Sequence, residues 1–368
     1  MSALALIRVL LATSALVMFF AQPTVAESPI RRLTTTSVAN VRPAWSPDAK
    51  QIAFQRGEPD GNYRVYVMDA DGKNARRVSS EADERHPAWS PDGRLLAVDS
   101  GTAAVREIWI VDLASGQRTQ VTRLGAIASF PSWSPDGNKV AFYLYRGGTT
   151  DLWTVGRDGG DPRALTQTLA SERRSQCTFA CHAAAWSPRG DRIAYSDGDQ
   201  ARVLVMTAAG GSSAIVSPDD ERSHFPLYLA DGSLVYVSEH ITLDASWTDL
   251  WALPDGSAAR AELVPGVTAQ GPFEISADGR QLLFASPRSG NFEIYSVVLD
   301  DAGKAALAQR GVPATEFGAA EALSAVTPAN PRSSGPFGDN GPWLLGIASI
   351  ALIGVGIELL VRARRMHG

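Results

Sequence analysis

A tryptophan followed by Ser-Pro-Asp-Gly recurs along this chain, and that repeat leaves few folds open to it. Ala44-Trp45-Ser46-Pro47-Asp48 returns as Ala88-Trp89-Ser90-Pro91-Asp92-Gly93, as Ser132-Trp133-Ser134-Pro135-Asp136-Gly137 and as Ala185-Trp186-Ser187-Pro188-Arg189-Gly190. Two worn copies follow, Leu227-Tyr228-Leu229-Ala230-Asp231-Gly232 and Glu274-Ile275-Ser276-Ala277-Asp278-Gly279. From Trp45 onward the units are spaced 44, 44, 53, 42 and 47 residues apart, which gives six of them. Periods of this length signal an array of like units packed side by side.

Each unit has the same internal order. Ser-Pro-Asp-Gly is a tight turn: proline presets φ, aspartate bonds backbone NH groups, and glycine tolerates positive φ. An alternating strand follows, such as Gln51-Ile52-Ala53-Phe54. Next comes a strand that sets a branched residue beside a large one, as in Val65-Tyr66, Ile108-Trp109, Leu152-Trp153 and Ile294-Tyr295. A second turn with Gly72, Gly116, Gly159, Gly210, Gly256 or Gly303 leads in most units to a short outer strand. Four short strands per unit, six times over, predict an all-β chain folded as a six-bladed β-propeller over residues 29–300. Ile30-Arg31-Arg32-Leu33-Thr34 reads as an outer strand that precedes the first blade, so it is expected to complete the sixth beside Phe292–Val298 and remove two exposed edges.

These units resemble the WD40-like (PD40) repeats of the TolB propeller family over about residues 30–300, strongly in four units and more loosely in the last two. The resemblance implies a propeller that binds partners outside the cytoplasm. The α/β domain that precedes the propeller in TolB proteins has no counterpart between residue 1 and the first repeat.

The two ends read as addresses. Residues 1–26 have Arg8, the apolar stretch Val9–Ala21 and small residues up to Ala26, as a cleavable signal peptide does; an uncleaved anchor is the alternative. Residues 342–361 hold a nineteen-residue apolar run, Trp343–Val361, with one charge, Glu358. That length spans a bilayer as a helix, and Arg362, Arg364 and Arg365 in the tail 362–368 put the C-terminus in the cytoplasm. An apolar helix with an arginine tail also resembles sorting tags that are removed after export. Residues 301–341, rich in Ala, Gly, Pro and Ser, read as a flexible linker. Localisation is thus expected at the cell membrane, single-pass, with the propeller on the periplasmic or extracellular side.

Charge narrows the partners. Arg8 contributes one positive charge and the C-terminal end a net two, so of the overall −5 residues 27–341 carry −8. Such a domain repels phosphate backbones, and no nucleic-acid partner is expected. The chain contains no Gly-x-Ser-x-Gly, His-Glu-x-x-His or phosphate loop. A non-enzymatic binding or scaffold propeller engaging an envelope protein, peptide or glycan is therefore expected, with membrane contact through the C-terminal helix and no cofactor.

Two constellations carry other chemistry. Cys177 and Cys181 fall in the longest inter-blade connection, and in an oxidising compartment they are expected to form a disulfide. His86, His182 and His224 precede Trp89, Trp186 and Tyr228 by three, four and four residues. Innermost strands line a propeller channel, so these imidazoles could hold a divalent metal at its mouth and support a lyase or hydrolase; some propeller lyases of oligogalacturonate type use histidines so. Polar residues bonded to neighbouring backbone are the competing account. The recurring tryptophans read as packing between blades.

Overall fold

Alternating sequence and tight turns produce strands throughout the computed structural model, which describes residues 29–78, 83–167, 184–197, 202–241, 246–267, 273–301 and 304. The expected signal peptide, nearly all of the expected linker, the apolar run 343–361 and the tail lie outside these residues, as do Cys177, Cys181 and His182. No helix among the described residues is long and apolar enough to cross a membrane.

The strands run in fours. The first, β1 (Ile30–Arg32), stands apart; then come β2 (Asn40–Trp45), β3 (Gln51–Gly57), β4 (Tyr63–Asp69) and β5 (Arg76–Arg77). The next four are β6 (Glu84–Trp89), β7 (Leu95–Gly101), β8 (Arg106–Asp112) and β9 (Arg118–Gln120). They are followed by β10 (Ile127–Trp133), β11 (Lys139–Arg146), β12 (Thr149–Gly156) and β13 (Arg163–Ala164). Then come β14 (Ala184–Trp186), β15 (Arg192–Asp197), β16 (Arg202–Thr207) and β17 (Ser213–Ile215). The fifth group is β18 (Arg222–Tyr228), β19 (Leu234–Ile241), β20 (Ser246–Leu253) and β21 (Ala261–Val267), and the last strands are β22 (Glu274–Ile275), β23 (Gln281–Ser286) and β24 (Glu293–Val298).

The fold is an all-β propeller. Four sheets have four strands each: β2–β5, β14–β17, β18–β21 and the closing sheet β22-β23-β24-β1. The expectation of six separate blades departs from the structure at β6–β13. These eight strands form one sheet, because β10 bridges β8 in parallel where Ile127 meets Arg106. The repeat could not foretell that link, since it arises where the chain entering β10 runs beside the start of β8. Innermost strands follow one another in sequence, with β22 beside β2, then β6, β10, β14 and β18.

Closure follows the expected pairing. In the closing sheet Ile30 pairs with Val297, Arg31 with Ser296 and Arg32 with Tyr295. The carboxylate of Glu293, fully buried, fixes the incoming chain. It accepts from the Thr34 hydroxyl, from Thr36 N at 2.7 Å, from Asn40 Nδ2 at 2.9 Å and from Arg32 Nη2 at 3.0 Å. Glu107 plays the same part within its own unit, accepting from Thr122 Oγ1 at 2.5 Å, Leu124 N at 2.7 Å and Gly125 N at 2.8 Å. Leu33-Thr34 therefore occupies the place that Val121-Thr122 holds elsewhere, although it comes from the opposite end of the chain.

The repeated turn is a small hydrogen-bonded unit. Ser46 Oγ donates to Asp48 Oδ1 at 2.7 Å and accepts from Gln51 N at 2.9 Å, and Ser90–Asp92, Ser134–Asp136 and Ser276–Asp278 repeat the first bond. Where Arg189 replaces the aspartate, Ser187 turns to Asp191 at 2.7 Å, and the Arg189 guanidinium reaches Asp255 of the next sheet at 3.2 Å. Between units, Trp89 Nε1 donates to the Ala44 carbonyl, Trp133 Nε1 to that of Ala88 and Trp186 Nε1 to that of Ser132, at 3.1, 3.1 and 3.2 Å. The tryptophans thus pack and pin adjacent units, as expected.

Candidate functional site

Each of four innermost strands carries the same kink. Arg42-Pro43, His86-Pro87, Phe130-Pro131 and Phe225-Pro226 all lie at the third and second positions before the strand's terminal Trp or Tyr. A residue preceding proline avoids the right-handed helical region, and proline has no NH for the ladder. Here the four leading residues take φ of 54°, 52°, 59° and 52°, in the left-handed region. Pairing slips at the same points, between Val41 and Ala44, Arg85 and Ala88, Ser129 and Ser132, and His224 and Leu227. Such bulges re-aim a side chain, at a strain of roughly 1–2 kcal/mol per left-handed residue.

Side chains from the preceding unit hold the kinks in place. His86 N donates to Gln55 Oε1 at 2.9 Å, Phe130 N to Asp99 Oδ1 at 3.4 Å and Phe225 N to Ser196 Oγ at 3.2 Å. Gln55, Asp99 and Ser196 hold equivalent positions on β3, β7 and β15, so the support repeats with the fold.

The re-aimed side chains meet on the propeller axis. The Arg42 Cζ lies 5.1 Å from the Phe130 ring centre and 6.0 Å from that of Phe225, although the three residues belong to β2, β10 and β18. The His86 ring lies tilted against Phe130 with ring centres 3.9 Å apart, and Phe130 meets the edge of Tyr143 at 6.5 Å. Arg42 and Phe130 are buried. Cation and rings close the channel at this level. Burial lowers the Arg42 guanidinium to about 10 against the opposing pull of Asp99 and Tyr63, so it remains charged at neutral pH.

An ion network backs this plug. Asp99, fully buried, meets His86 Nδ1 and Arg106 Nε, each at 2.5 Å. Arg106 Nη1 continues to Asp83 at 2.7 Å, and Asp83 also takes Tyr63 N at 2.7 Å and Arg85 Nε at 2.9 Å. Burial opposes charge on Asp99, yet the His86 ring and Arg106 overcome it and hold the carboxyl well below the usual range. Burial also pulls His86 down to about 4, so the imidazole is neutral at physiological pH although Asp99 works against this.

The three histidines singled out by the sequence fare differently. His86 projects to the axis and its Nδ1 is committed to Asp99. His224 lies one residue short of the equivalent position, which Phe225 occupies; its ring is buried, 3.4 Å from Glu239 Oε2, and neither ring nitrogen makes a hydrogen bond among the described residues. His182 lies outside the described residues, so the structure does not place the trio together. No group of three His, Cys, Asp or Glu able to hold a metal occurs among the described residues. Arg42, Phe130 and Phe225 escaped the sequence reading, though the X-Pro pair before each terminal aromatic was their signal.

Comparison with known proteins places this geometry. Residues 81–246 match the family model described as the TolB beta propeller domain. Among solved structures, TolB from Acinetobacter baumannii superposes with a TM-score of 0.54 at 18% identity, covering 70% of this chain and 65% of that one. This chain therefore spans somewhat under two thirds of that TolB. An oligogalacturonate lyase in complex with manganese superposes with a TM-score of 0.53 at 16% identity, covering 74% of this chain and 93% of that one. At these identities the likeness is one of fold. No curated protein sequence matches the chain.

Proposed function

We propose that this chain, whose propeller belongs to the TolB-like PD40 family, is a six-bladed binding propeller that engages an envelope protein, peptide or glycan without catalysing a reaction. The count of six takes the eight-stranded sheet as two blades, β6–β9 and β10–β13. The axial plug carries this reading. Arg42 is sandwiched by Phe130 and Phe225, and Asp99, Arg106 and Asp83 are bonded to one another, so the charged groups there already serve structure. A closed channel with two separate mouths suits docking at a rim better than passage through the ring. In this reading residues 1–26 are removed on export, 29–300 form the propeller, 301–341 a stalk, 342–361 a membrane helix and 362–368 a cytoplasmic tail, with Cys177 and Cys181 bridged.

A second reading is a metal-dependent lyase or hydrolase built on His86, His182 and His224. The carboxylate on His86 Nδ1 is what orients a metal-bound imidazole, and it leaves Nε2 with a free lone pair in a neutral ring. The unbonded nitrogens of His224 point the same way. Metal analysis of the purified full chain separates the two. Stoichiometric manganese or zinc that is lost in His224→Ala overturns the binding reading. Metal-free protein that captures a specific envelope component from native membranes supports it.

A further inference from the structure

On the face that carries the Ser-Pro-Asp-Gly turns, two cavities flank Asp112, the last residue of β8. The first, of about 280 Å³, opens at the seam with the preceding unit. Gln51 at the start of β3 lines one side of it, and Arg94, Leu113 and Ala114 line the other beside Asp112. The second, of about 180 Å³, opens at the seam with the following unit, which contributes Arg157. Leu95 and Ile110 supply its apolar part, and Asp112, Gln117 and Thr119 stand with Arg157 as its polar part. Asp112 lines both cavities, so they form one bipartite site. Together they reach the lower part of the ~300–1,000 Å³ range of small-molecule sites.

The shared carboxylate is held in one orientation. Its Oδ1 accepts from Ser115 N at 2.8 Å, Ser115 Oγ at 3.0 Å and Ala114 N at 3.0 Å. These bonds, helped by the Arg94 guanidinium, keep the carboxyl below its ordinary range and therefore charged. Arg94 and Arg157 are exposed, one at each cavity. Asp92, the other carboxylate near both, is engaged in its own turn by Ser90 Oγ at 2.6 Å and Arg94 N at 3.1 Å.

This order of charge, a carboxylate shared by two cavities that each hold a guanidinium, opposes simple ions. An anion meets Asp112, and a cation meets an arginine. A neutral ligand whose groups both donate and accept suits it better. Asp112 takes donors, the guanidiniums supply them, and the Gln51 and Gln117 amides and the Thr119 hydroxyl do both. Sugar hydroxyls have that double capacity, and two linked rings offer it in two adjacent places.

We propose that these cavities bind a neutral glycan, one sugar ring in each with Asp112 shared between them; this rests on the binding reading above and selects the glycan among its ligands. The site lies on the rim, clear of the axial plug, and is built from three successive units, so it exists only in the assembled ring.

Cellobiose, maltose and N,N′-diacetylchitobiose are the probes, titrated calorimetrically into the full chain solubilised in a polyoxyethylene detergent, which carries no sugar. At least one should bind at one per chain, and its monosaccharide about tenfold or more weakly, because a single ring engages only one of two linked subsites. Chitobiose, which carries two ammonium groups on the same skeleton, and the zwitterion triglycine should bind more weakly than that disaccharide. Asp112→Asn should weaken the disaccharide about tenfold through loss of a charge-assisted bond. Ala114→Trp and Thr119→Trp, at exposed positions, obstruct the first and the second cavity and leave Asp112 intact. Each should reduce the disaccharide to the affinity of its monosaccharide while the melting temperature holds. No saturable binding of any of the three disaccharides, affinity unchanged in Asp112→Asn, Ala114→Trp or Thr119→Trp, or equal affinity for chitobiose or triglycine overturns the proposal. Should the sugars fail while the chain still captures an envelope protein or peptide, this site is refuted and the binding propeller stands.

Discussion

The indole nitrogen of Trp89 reaches across the joint between two units and donates to the carbonyl of Ala44 at 3.1 Å, whereas Trp45, its counterpart one unit earlier, finds no acceptor among the described residues. Both rings are buried to a similar degree. Trp89→Phe should therefore cost about 1 kcal/mol more than Trp45→Phe, the net worth of one such bond. Equal losses of stability in denaturant melts would show that ring packing alone sets the cost.

Glu293 gathers four donors of the chain that closes the ring. Glu293→Ala leaves the Thr36 amide and the Asn40 side chain without their acceptor, at an expected cost of about 3 kcal/mol. A chain beginning at Val41 loses β1 as well and should melt at still lower temperature. If either melts like the intact protein, the closing strand adds nothing to stability.

Two partly buried groups tilt the pH profile in opposite directions. Glu274 titrates near 8 in the folded chain and near 4.5 when unfolded, so its carboxyl holds the proton longer in the native state. The unfolded chain then binds fewer protons, and stability falls as pH rises from 4.5 to 8. Glu274→Gln should gain stability over the native chain progressively across that window and match it below pH 4.5. His86 is lowered to about 4 from 6.5, so its contribution is lost as pH falls through that range. Melts at pH 4, 6 and 8 check both; a Glu274→Gln offset that stays constant with pH would contradict this assignment.

The bridge proposed between Cys177 and Cys181 closes a very short loop. Its stabilisation should fall below the ~3 kcal/mol typical of a fifteen-residue loop. Alkylation without reductant followed by mass spectrometry should find neither thiol modified in the exported protein, and two alkylated thiols would disprove the pairing.

The turn, the strand that follows it and the tryptophan at each joint were legible because each is local: Ser46, Pro47 and Asp48 act within six residues. The closing strand was legible too, because Arg31-Arg32-Leu33 repeats the wording of Arg76-Arg77-Val78. The bridge of Ile127 to Arg106 was not, since it depends on how two units sit side by side. The axial plug was hidden for a related reason. Arg42, His86, Phe130 and Phe225 are chemically unlike, and only the shared proline after each marks them as one set. Searching by residue type selected His224, whose side chain is aimed elsewhere, and passed over Phe225 beside it. Glu274 stands in a worn repeat, but its environment comes from strands that the sequence does not place beside it.

The pairing of β1 with β24 also sets a timetable for folding. Arg32 and Glu293 are 261 residues apart in the chain. At ~5–20 residues per second of synthesis, the first strand waits on the order of 13–50 s before its partner exists. Until then the ring is an open arc with a bare edge at each end, and every unit already formed lacks the restraint of closure. The first strand to be made is the last to be used, so a chain interrupted anywhere before Glu293 is not a shorter propeller but an unfinished one, with its edges open to the wrong partner.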